Sequence, residues 1–289
     1  MRIYVTLAVM LFASAQLAPA IQGGWKLRQQ PATLVNGSPV LFRVTAPEKL
    51  VSLQGTWLDH EITFRFSHGC HCWYAIAGVP LETRPADYPL EVEGDTAHGG
   101  RVRFTRTESV GEAHYPFTTI SVAHQYVQPP KETLVRIEEE QGLKKKIFSE
   151  TAPVALWTGK FLPPARAVVT GVFGSARIFN GEKHSQHEGI DFRVHTGTLV
   201  HAANAGTVIL ARNLYFEGNC VVVDHGQGLM TVYLHLSKFK VKEGDKVRTG
   251  QVLGLSGGTG RATGPHLHFA VRWQGNYVNP AILLKLTPP

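Results

Sequence analysis

Two histidines stand one residue apart near the end of the chain, in the stretch GPHLHF. On an extended strand His266 and His268 would point to the same face, because side chains at i and i+2 share a face. Two neutral imidazoles side by side suit a metal ion, or a metal ion with a proton-transfer group. Exposed surface histidines would give the same pattern, so the rest of the chain must decide between the two readings.

A second stretch, HSQHEGIDF, supplies further ligand types. His187 and Asp191 are four residues apart, so both side chains return to one side of an extended segment. With one histidine of HLH they predict three protein ligands for a zinc ion, which leaves a fourth position open for water. Zinc lowers the pKa of such a water to about 7. The spacing does not say which histidine of HLH binds the metal.

A further histidine, His235, interrupts the apolar stretch TVYLHLS. The alternation of an extended strand predicts that Tyr233 and His235 share one face. A buried imidazole is costly unless it is hydrogen-bonded. His235 is therefore either a hydrogen-bonded core residue or a member of the same site, partnered by the remaining histidine of HLH or by a substrate.

The motifs HEGIDF, YLHLS and GPHLHF, in this order and at these separations, resemble the M23 family of zinc metallopeptidases, the LytM/lysostaphin type. The resemblance covers nearly all of residues 161–280. It implies an exported zinc endopeptidase that hydrolyses peptide cross-links or stem peptides of bacterial peptidoglycan. The residues before this region are similar to the β-sandwich domain that precedes the peptidase in many exported bacterial proteins.

The resemblance also distributes the roles within the site. It implies that one zinc ion is bound by His187, Asp191 and His268. It implies that His235 and His266 are the catalytic pair that helps to bind and deprotonate the water and to stabilise the transition state. A ligand and a proton-transfer group must be neighbours for this division to work, because both act on the same water.

The segments that must position these residues are β-strands. Residues 165–289 are rich in glycine and β-branched residues, in stretches such as AVVTGVFG, NCVVVDHG and HLHFAVRW, and predict an antiparallel β domain, the LytM-type peptidase domain of the resemblance. Residues 27–128 form short β runs broken by turns and predict an N-terminal Ig-like β-sandwich. We therefore expect a mostly β fold in two domains.

Residues 129–164 differ in character from both domains. The stretch KETLVRIEEEQGLKKKIFSE predicts a short, mostly exposed helix, with prolines on both sides as punctuation. We interpret this segment as a linker that is partly packed by Trp157 and Phe161.

The start of the chain and its charge bear on location. Residues 1–20 combine Arg2, an apolar run and small residues, which predicts a signal peptide; no later stretch is long and apolar enough to cross a bilayer. The net charge of +7 favours an anionic surface such as a cell wall, and no motif supports nucleic-acid binding. We expect an exported protein, and the absence of a recognisable domain for binding glycine bridges favours the periplasm.

The three cysteines predict no disulfide framework. A disulfide between Cys70 and Cys72, in SHGCHCW, would close a small, strained loop. We therefore expect no bond between them and interpret both as small residues of a strand or hairpin. Cys220 lies in an apolar stretch and is predicted to be a buried free thiol.

Two other functions compete with a peptidase. One is a catalytically silent relative that binds the wall or activates another hydrolase; the other is a wall-binding β protein with an incidental metal. Degenerate members of the family lose ligands or catalytic histidines, whereas all five positions are filled here. This difference favours an enzyme.

Overall fold

The computed structural model describes residues 23–181 and 183–289, so the predicted signal peptide lies outside the described residues. The N-terminal strands are β1 (Lys26–Gln30), β2 (Leu34–Val35), β3 (Pro39–Thr45), β4 (Gln54–Trp57), β5 (His60–Thr63), β6 (Arg65–Ser67), β7 (Cys72–Gly78), β8 (Ala86–Asp95), β9 (Arg101–Gly111) and β10 (Phe117–Ile120).

A 3₁₀ turn (His124–Tyr126) and helix α1 (Lys131–Ser149) follow. The C-terminal elements are β11 (Val169–Gly171), β12 (Ala176–Phe179), β13 (Lys183–Gln186), β14 (Gly189–Phe192), β15 (Leu199–His201), β16 (Gly206–Leu214), β17 (Gly218–Asp224), β18 (Leu229–Leu236), β19 (Lys238–Phe239), β20 (Lys246–Val247), β21 (Val252–Leu255), β22 (Leu267–Trp273), β23 (Asn276–Val278) and α2 (Pro280–Leu283).

The N-terminal strands form two sheets, a four-stranded one in the order β1-β3-β7-β6 and a five-stranded one in the order β2-β9-β8-β4-β5. Phe42 of β3 packs edge-on against Trp57 of β4, with ring centroids 5.5 Å apart, so the sheets meet face to face. The mostly β fold class is confirmed. The immunoglobulin-type assignment of this sandwich stays a prediction.

An eight-stranded sheet dominates the C-terminal half, in the order β11-β14-β22-β18-β17-β16-β20 with β23 on β22. One face of its central strands packs into the main core through Tyr233, Phe269 and Val271, all fully buried. The other face carries a second apolar cluster that includes Val222 and Ala270. Side chains that alternate between these faces therefore point either into the core or towards α1 and the cleft beside it.

Helix α1 is longer than the short helix that the sequence predicts, at 19 residues. Ile137 is its one buried residue, but Leu143, Ile147 and Phe148 pack against the second apolar cluster of the sheet. The helix therefore covers the part of this sheet face that lies next to the cleft. Among the described residues no helix is both long and apolar enough to span a bilayer.

The cysteines correct one expectation. Cys70, in the turn after β6, forms a disulfide with Cys72, the first residue of β7. The intervening His71 adopts a positive φ of 49°, and this left-handed turn brings the two ends of the short loop together. Cys220 is a buried free cysteine, as predicted.

Candidate metal centre and catalytic cleft

Three side chains meet where β14 lies beside β22. Asp191 is directly opposite His268 in the antiparallel register, and His187 lies two residues before β14. His187 Nε2 is 3.1 Å from Asp191 Oδ1 and 3.0 Å from His268 Nδ1, and His268 Nδ1 is 2.9 Å from Asp191 Oδ1. These three atoms form a nearly equilateral triangle of potential ligands, and all three residues are buried.

The triangle fits a zinc ion. Tetrahedral zinc with bonds of about 2.0–2.1 Å places its ligand atoms roughly 3.3 Å apart, close to the observed separations. Two imidazole nitrogens and one carboxylate oxygen are an ordinary donor set for zinc, and three protein ligands leave one coordination position open. The structure thus brings together the three residues for which the sequence predicts metal binding.

Two outer contacts orient this triangle. His187 Nδ1–H donates to the carbonyl oxygen of Val172 (2.8 Å), which leaves the lone pair of Nε2 free to bind a metal. Arg177 on β12 donates from Nη2 to Asp191 Oδ2 (2.7 Å), so Oδ1 is the oxygen that faces the two histidines.

Asn180, the residue that follows β12, holds a neighbouring chain segment. Its side-chain amide donates to the carbonyl oxygen of Val122 and its Oδ1 accepts from the N–H of Val122, both at 2.9 Å. Both ends of the amide therefore hold the chain segment before α1.

His235 and His266 lie next to the triangle. Their ring centroids are 4.8 Å apart, and the His235 ring is 6.2 Å from that of His268. His266 Nε2 lies 3.8 Å from Asp191 Oδ1. His266 precedes β22 and forms an isolated bridge with Gly257 instead of belonging to the regular strand. The structure brings all five predicted site residues into one cleft.

The prediction that Tyr233 and His235 share a face is wrong. Tyr233 packs in the main core and its hydroxyl accepts a hydrogen bond from the N–H of Ala203, whereas His235 lines the cleft. The β17–β18 register shifts between Asn219 and Val221, and His235 has φ of 64°. This bulge adds a residue to β18 and turns His235 away from the core, a common device next to functional sites.

The loop between β21 and β22 determines which ring nitrogen carries the proton in His235 and His266. His235 Nδ1–H donates to the carbonyl oxygen of Thr259, and His266 Nδ1–H donates to that of Gly264, each at 2.8 Å. A carbonyl oxygen only accepts, so Nδ1 carries the proton in each ring and Nε2 is the basic nitrogen.

Burial and mutual charge set the electrostatics of the site. Burial acts to raise the pKa of Asp191, but hydrogen bonds from His187 and His268 outweigh it and hold that pKa well below the usual range. Burial and the charge of His266 lower the pKa of His235 to about 3. Burial lowers the pKa of His268 to about 4, although Asp191 acts to raise it. At neutral pH Asp191 is therefore ionised, and the rings of His235 and His268 are neutral.

The cleft around these residues has a volume of about 460 Å³. Its floor is the second face of the large sheet, and its walls come from three parts of the chain. The lining side chains outside the predicted five include Ile120, Val122, Lys144, Phe148, Arg177, Phe179, Phe216, Arg261 and Thr263.

The site requires two glycines, Gly171 and Gly189, and the spacing of residues in the sequence does not reveal this requirement. A Cβ on Gly189 would lie 2.6 Å from His268 Nε2, and one on Gly171 would lie 2.2 Å from Asp191 Oδ2. Both positions admit only a hydrogen in place of a side chain, since the ligand side chains occupy the space. The glycine between His187 and Asp191 in HEGID is thus part of the site's packing.

Known proteins similar to this chain include peptidases. The model of peptidase family M23 matches residues 185–280. A crystal structure described as a peptidase M23 from Pseudomonas aeruginosa is 31% identical and superimposes with a TM-score of 0.65, over 86% of this chain and 94% of that one.

Two curated relatives match more locally. Peptidoglycan DD-endopeptidase ShyA of Vibrio cholerae is 52% identical over 93 residues, which is 32% of this chain and 22% of ShyA. DD-carboxypeptidase/endopeptidase Mpg of Neisseria meningitidis is 43% identical over 102 residues, 35% of this chain and 24% of Mpg. The matched region thus spans less than a quarter of the length of either relative.

Proposed function

Because the chain belongs to peptidase family M23, we propose that it is an exported, zinc-dependent endopeptidase that hydrolyses peptide bonds in bacterial peptidoglycan, in the periplasm. The observation that supports this most strongly is the geometry of the cleft. A three-ligand triangle of His187, Asp191 and His268 lies beside two histidines whose Nε2 atoms form no hydrogen bond with the residues that the structure describes.

The division of labour follows from the donors and acceptors. His187, Asp191 and His268 would hold one zinc ion, which supplies a Lewis acid for the scissile carbonyl. His266 Nε2 would accept the proton of an attacking water, because Nδ1–H of the same ring donates to the carbonyl oxygen of Gly264. His235 Nε2 faces the same space and, once protonated, would donate to the developing oxyanion or to the leaving amine.

The substrate class follows from the relatives and from charge. The two curated relatives carry names for DD-endopeptidase activity, and ShyA is named for peptidoglycan. We propose the D-alanyl cross-link between stem peptides as the bond that is cut. The net charge of +7 would favour approach to an anionic wall.

The test is digestion of purified, cross-linked peptidoglycan with zinc-loaded protein, followed by mass spectrometry of the released fragments. We expect cross-linked dimers to fall to monomers, and we expect no release after chelation. His195→Ala is the matched control, since His195 is exposed and does not line the cleft. Release that survives complete removal of zinc would overturn the proposal, and wall binding without release would favour the catalytically silent alternative.

A further inference from the structure

The guanidinium of Arg261 is held in the cleft by two aromatic rings. Its Cζ lies 4.6 Å from the ring centroid of Phe179 and 5.0 Å from that of Phe216, within the range of cation–π attraction. The backbone N–H of Arg261 donates to the carbonyl oxygen of Phe216 (2.8 Å), which anchors the residue at its base. A long, flexible side chain is thereby fixed in one place before any ligand arrives.

This guanidinium forms no ion pair with the described residues. No carboxylate of the described residues forms a salt bridge with Arg261, although three acidic groups, Glu188, Asp191 and Glu217, line the same cleft. Asp191 is paired with Arg177, and Glu217 is paired with Lys144. Arg261 is half-buried, and the charges of Glu217 and Glu188 act on it without forming a direct ion pair. Such a group gains more from a charged hydrogen-bond partner than an exposed arginine does.

The loop that carries Arg261 also builds the catalytic pair. The carbonyl oxygen of Thr259, two residues earlier, orients His235, and His266 follows five residues later. Arg261 and both histidines line one continuous cleft. A peptide whose scissile bond lies at the histidines would therefore extend past the guanidinium.

We propose that Arg261 binds a free carboxylate of the substrate peptide, and so selects stem peptides with an ionised carboxyl group near the scissile bond. This inference rests on the proposed function. The planar fork of N–H groups matches a carboxylate in a bidentate arrangement, and its fixed position reduces the entropy lost on binding. In a cross-linked stem peptide the carboxylate could belong to the diamino acid at the cross-link or to a terminal alanine.

The two sources are separated with four synthetic cross-linked peptides. One carries both carboxylates, two carry a carboxamide at one position each, and one carries carboxamides at both. With zinc-loaded wild-type protein we expect kcat/KM to fall roughly 10- to 100-fold when the recognised carboxylate is amidated. Amidation at the other position should change it less than about threefold.

Arg261→Gln should lower kcat/KM on the peptide with both carboxylates by the same factor. For this variant, amidation at the recognised position should cause no further fall in kcat/KM. Arg248→Gln is the matched control, because it removes the same charge from an exposed arginine outside the cleft. An equal loss on charged and amidated peptides would assign Arg261 a purely structural role and overturn the inference. Equal cleavage of all four peptides by the wild type would overturn it as well.

If Arg261→Gln does not fold, Arg261→Lys decides. A lysine keeps the charge but loses the fork, so a smaller carboxylate-over-carboxamide ratio than the wild type's is expected, and an unchanged ratio contradicts the inference. If no peptide is cleaved, the proposed function fails instead. Calorimetric binding of the same peptides to zinc-loaded His266→Ala then still compares carboxylate with carboxamide and judges Arg261 separately.

Discussion

At the scale of single residues, four of the five site side chains are oriented by a group outside those five: three histidines by backbone carbonyl oxygens and Asp191 by an arginine. Carbonyl oxygens of Val172, Thr259 and Gly264 accept from three different histidines and so determine which nitrogen of each ring is basic. Arg177 orients the Asp191 carboxylate by donating a hydrogen bond to Oδ2, which leaves Oδ1 facing the histidines. The chemistry therefore depends on backbone positions as much as on the five side chains themselves.

Arg177 is a positioning residue whose contribution can be measured through metal affinity. Arg177→Met removes the donor to Asp191 Oδ2 and frees the carboxylate to rotate, so we expect zinc to bind roughly 10- to 100-fold more weakly. Competition with a chromophoric chelator measures this directly. Arg177→Lys should recover part of the affinity and Arg248→Met should leave it unchanged. Wild-type affinity in Arg177→Met would refute this role.

His225 gives a pH dependence that is independent of the metal. It is fully buried, its Nδ1–H donates to the carbonyl oxygen of Ala205 (2.7 Å), and its Nε2 is hydrogen-bonded to the Thr231 hydroxyl (2.8 Å). Burial lowers the pKa of His225 from 6.5 to about 4. The unfolded chain therefore binds a proton at a higher pH than the folded chain does.

The shifted pKa of His225 makes the free energy of unfolding depend on pH. The contribution of neutral His225 to that free energy is complete above about pH 6.5. It is lost as the pH falls towards 4, by roughly 3 kcal/mol in all. Urea unfolding of the wild type and of His225→Gln across this range isolates the effect. The difference in unfolding free energy between the two proteins should shrink on acidification. A difference that is constant from pH 7 to pH 4 would mean that His225 titrates normally in the fold.

At the scale of elements, the site is a product of strand register. Asp191 and His268 are cross-strand neighbours, so the pairing of β14 with β22 is what forms the ligand triangle. The sequence predicted the strands, the same-side placement of His187 and Asp191, and three ligands around one metal. It could not place His235, because a bulge in β18 overrides the simple alternation on which that expectation depended.

The disulfide between Cys70 and Cys72 was missed for a related reason. The spacing alone suggested a loop that was too strained to close. A left-handed residue between the cysteines supplies the tight turn, and backbone conformations of this kind cannot be read from residue spacing. Local backbone irregularities thus account for both errors.

Gly189 tests the close approach of β14 and β22. A Cβ at this position would lie 2.5 Å from the carbonyl oxygen of Phe269 and 2.6 Å from His268 Nε2, so Gly189→Ala must move a strand or a ligand. We expect zinc affinity to fall at least tenfold, because the ligand geometry tolerates little displacement. Gly111→Ala, where the nearest atoms are 3.7 Å away, is the control. Unchanged affinity would show that the strands adapt freely.

At the scale of the whole molecule, the N-terminal sandwich is packed onto the C-terminal half. His60 Nδ1 is hydrogen-bonded to the side chain of Gln274 (3.0 Å), and the N–H of Asn279 donates to the carbonyl oxygen of Gly37 (2.8 Å). A Cβ on Gly78 would approach Trp273 and Val278 to 2.8 Å. We therefore expect the two halves to unfold together.

Gly78→Ala should lower the free energy of unfolding of the whole chain by roughly 1–3 kcal/mol, because it overpacks this contact. Differential scanning calorimetry should show one transition that moves to lower temperature. Gly142→Ala makes the same chemical change within α1 where no atom lies within 4 Å, and should stabilise by about 0.5–1 kcal/mol. Two separate transitions, with only one shifted, would contradict the shared packing.

The central claim is that one set of residues holds zinc while a neighbouring pair performs the proton transfers. The most direct test compares zinc-loaded wild type with zinc-loaded His266→Ala on a defined cross-linked muropeptide dimer, with zinc content measured in both. We predict about one zinc per chain in each protein, conversion of the dimer to monomers by the wild type, and a rate at least roughly 100-fold lower in the variant. Equal rates at equal zinc content would contradict the account.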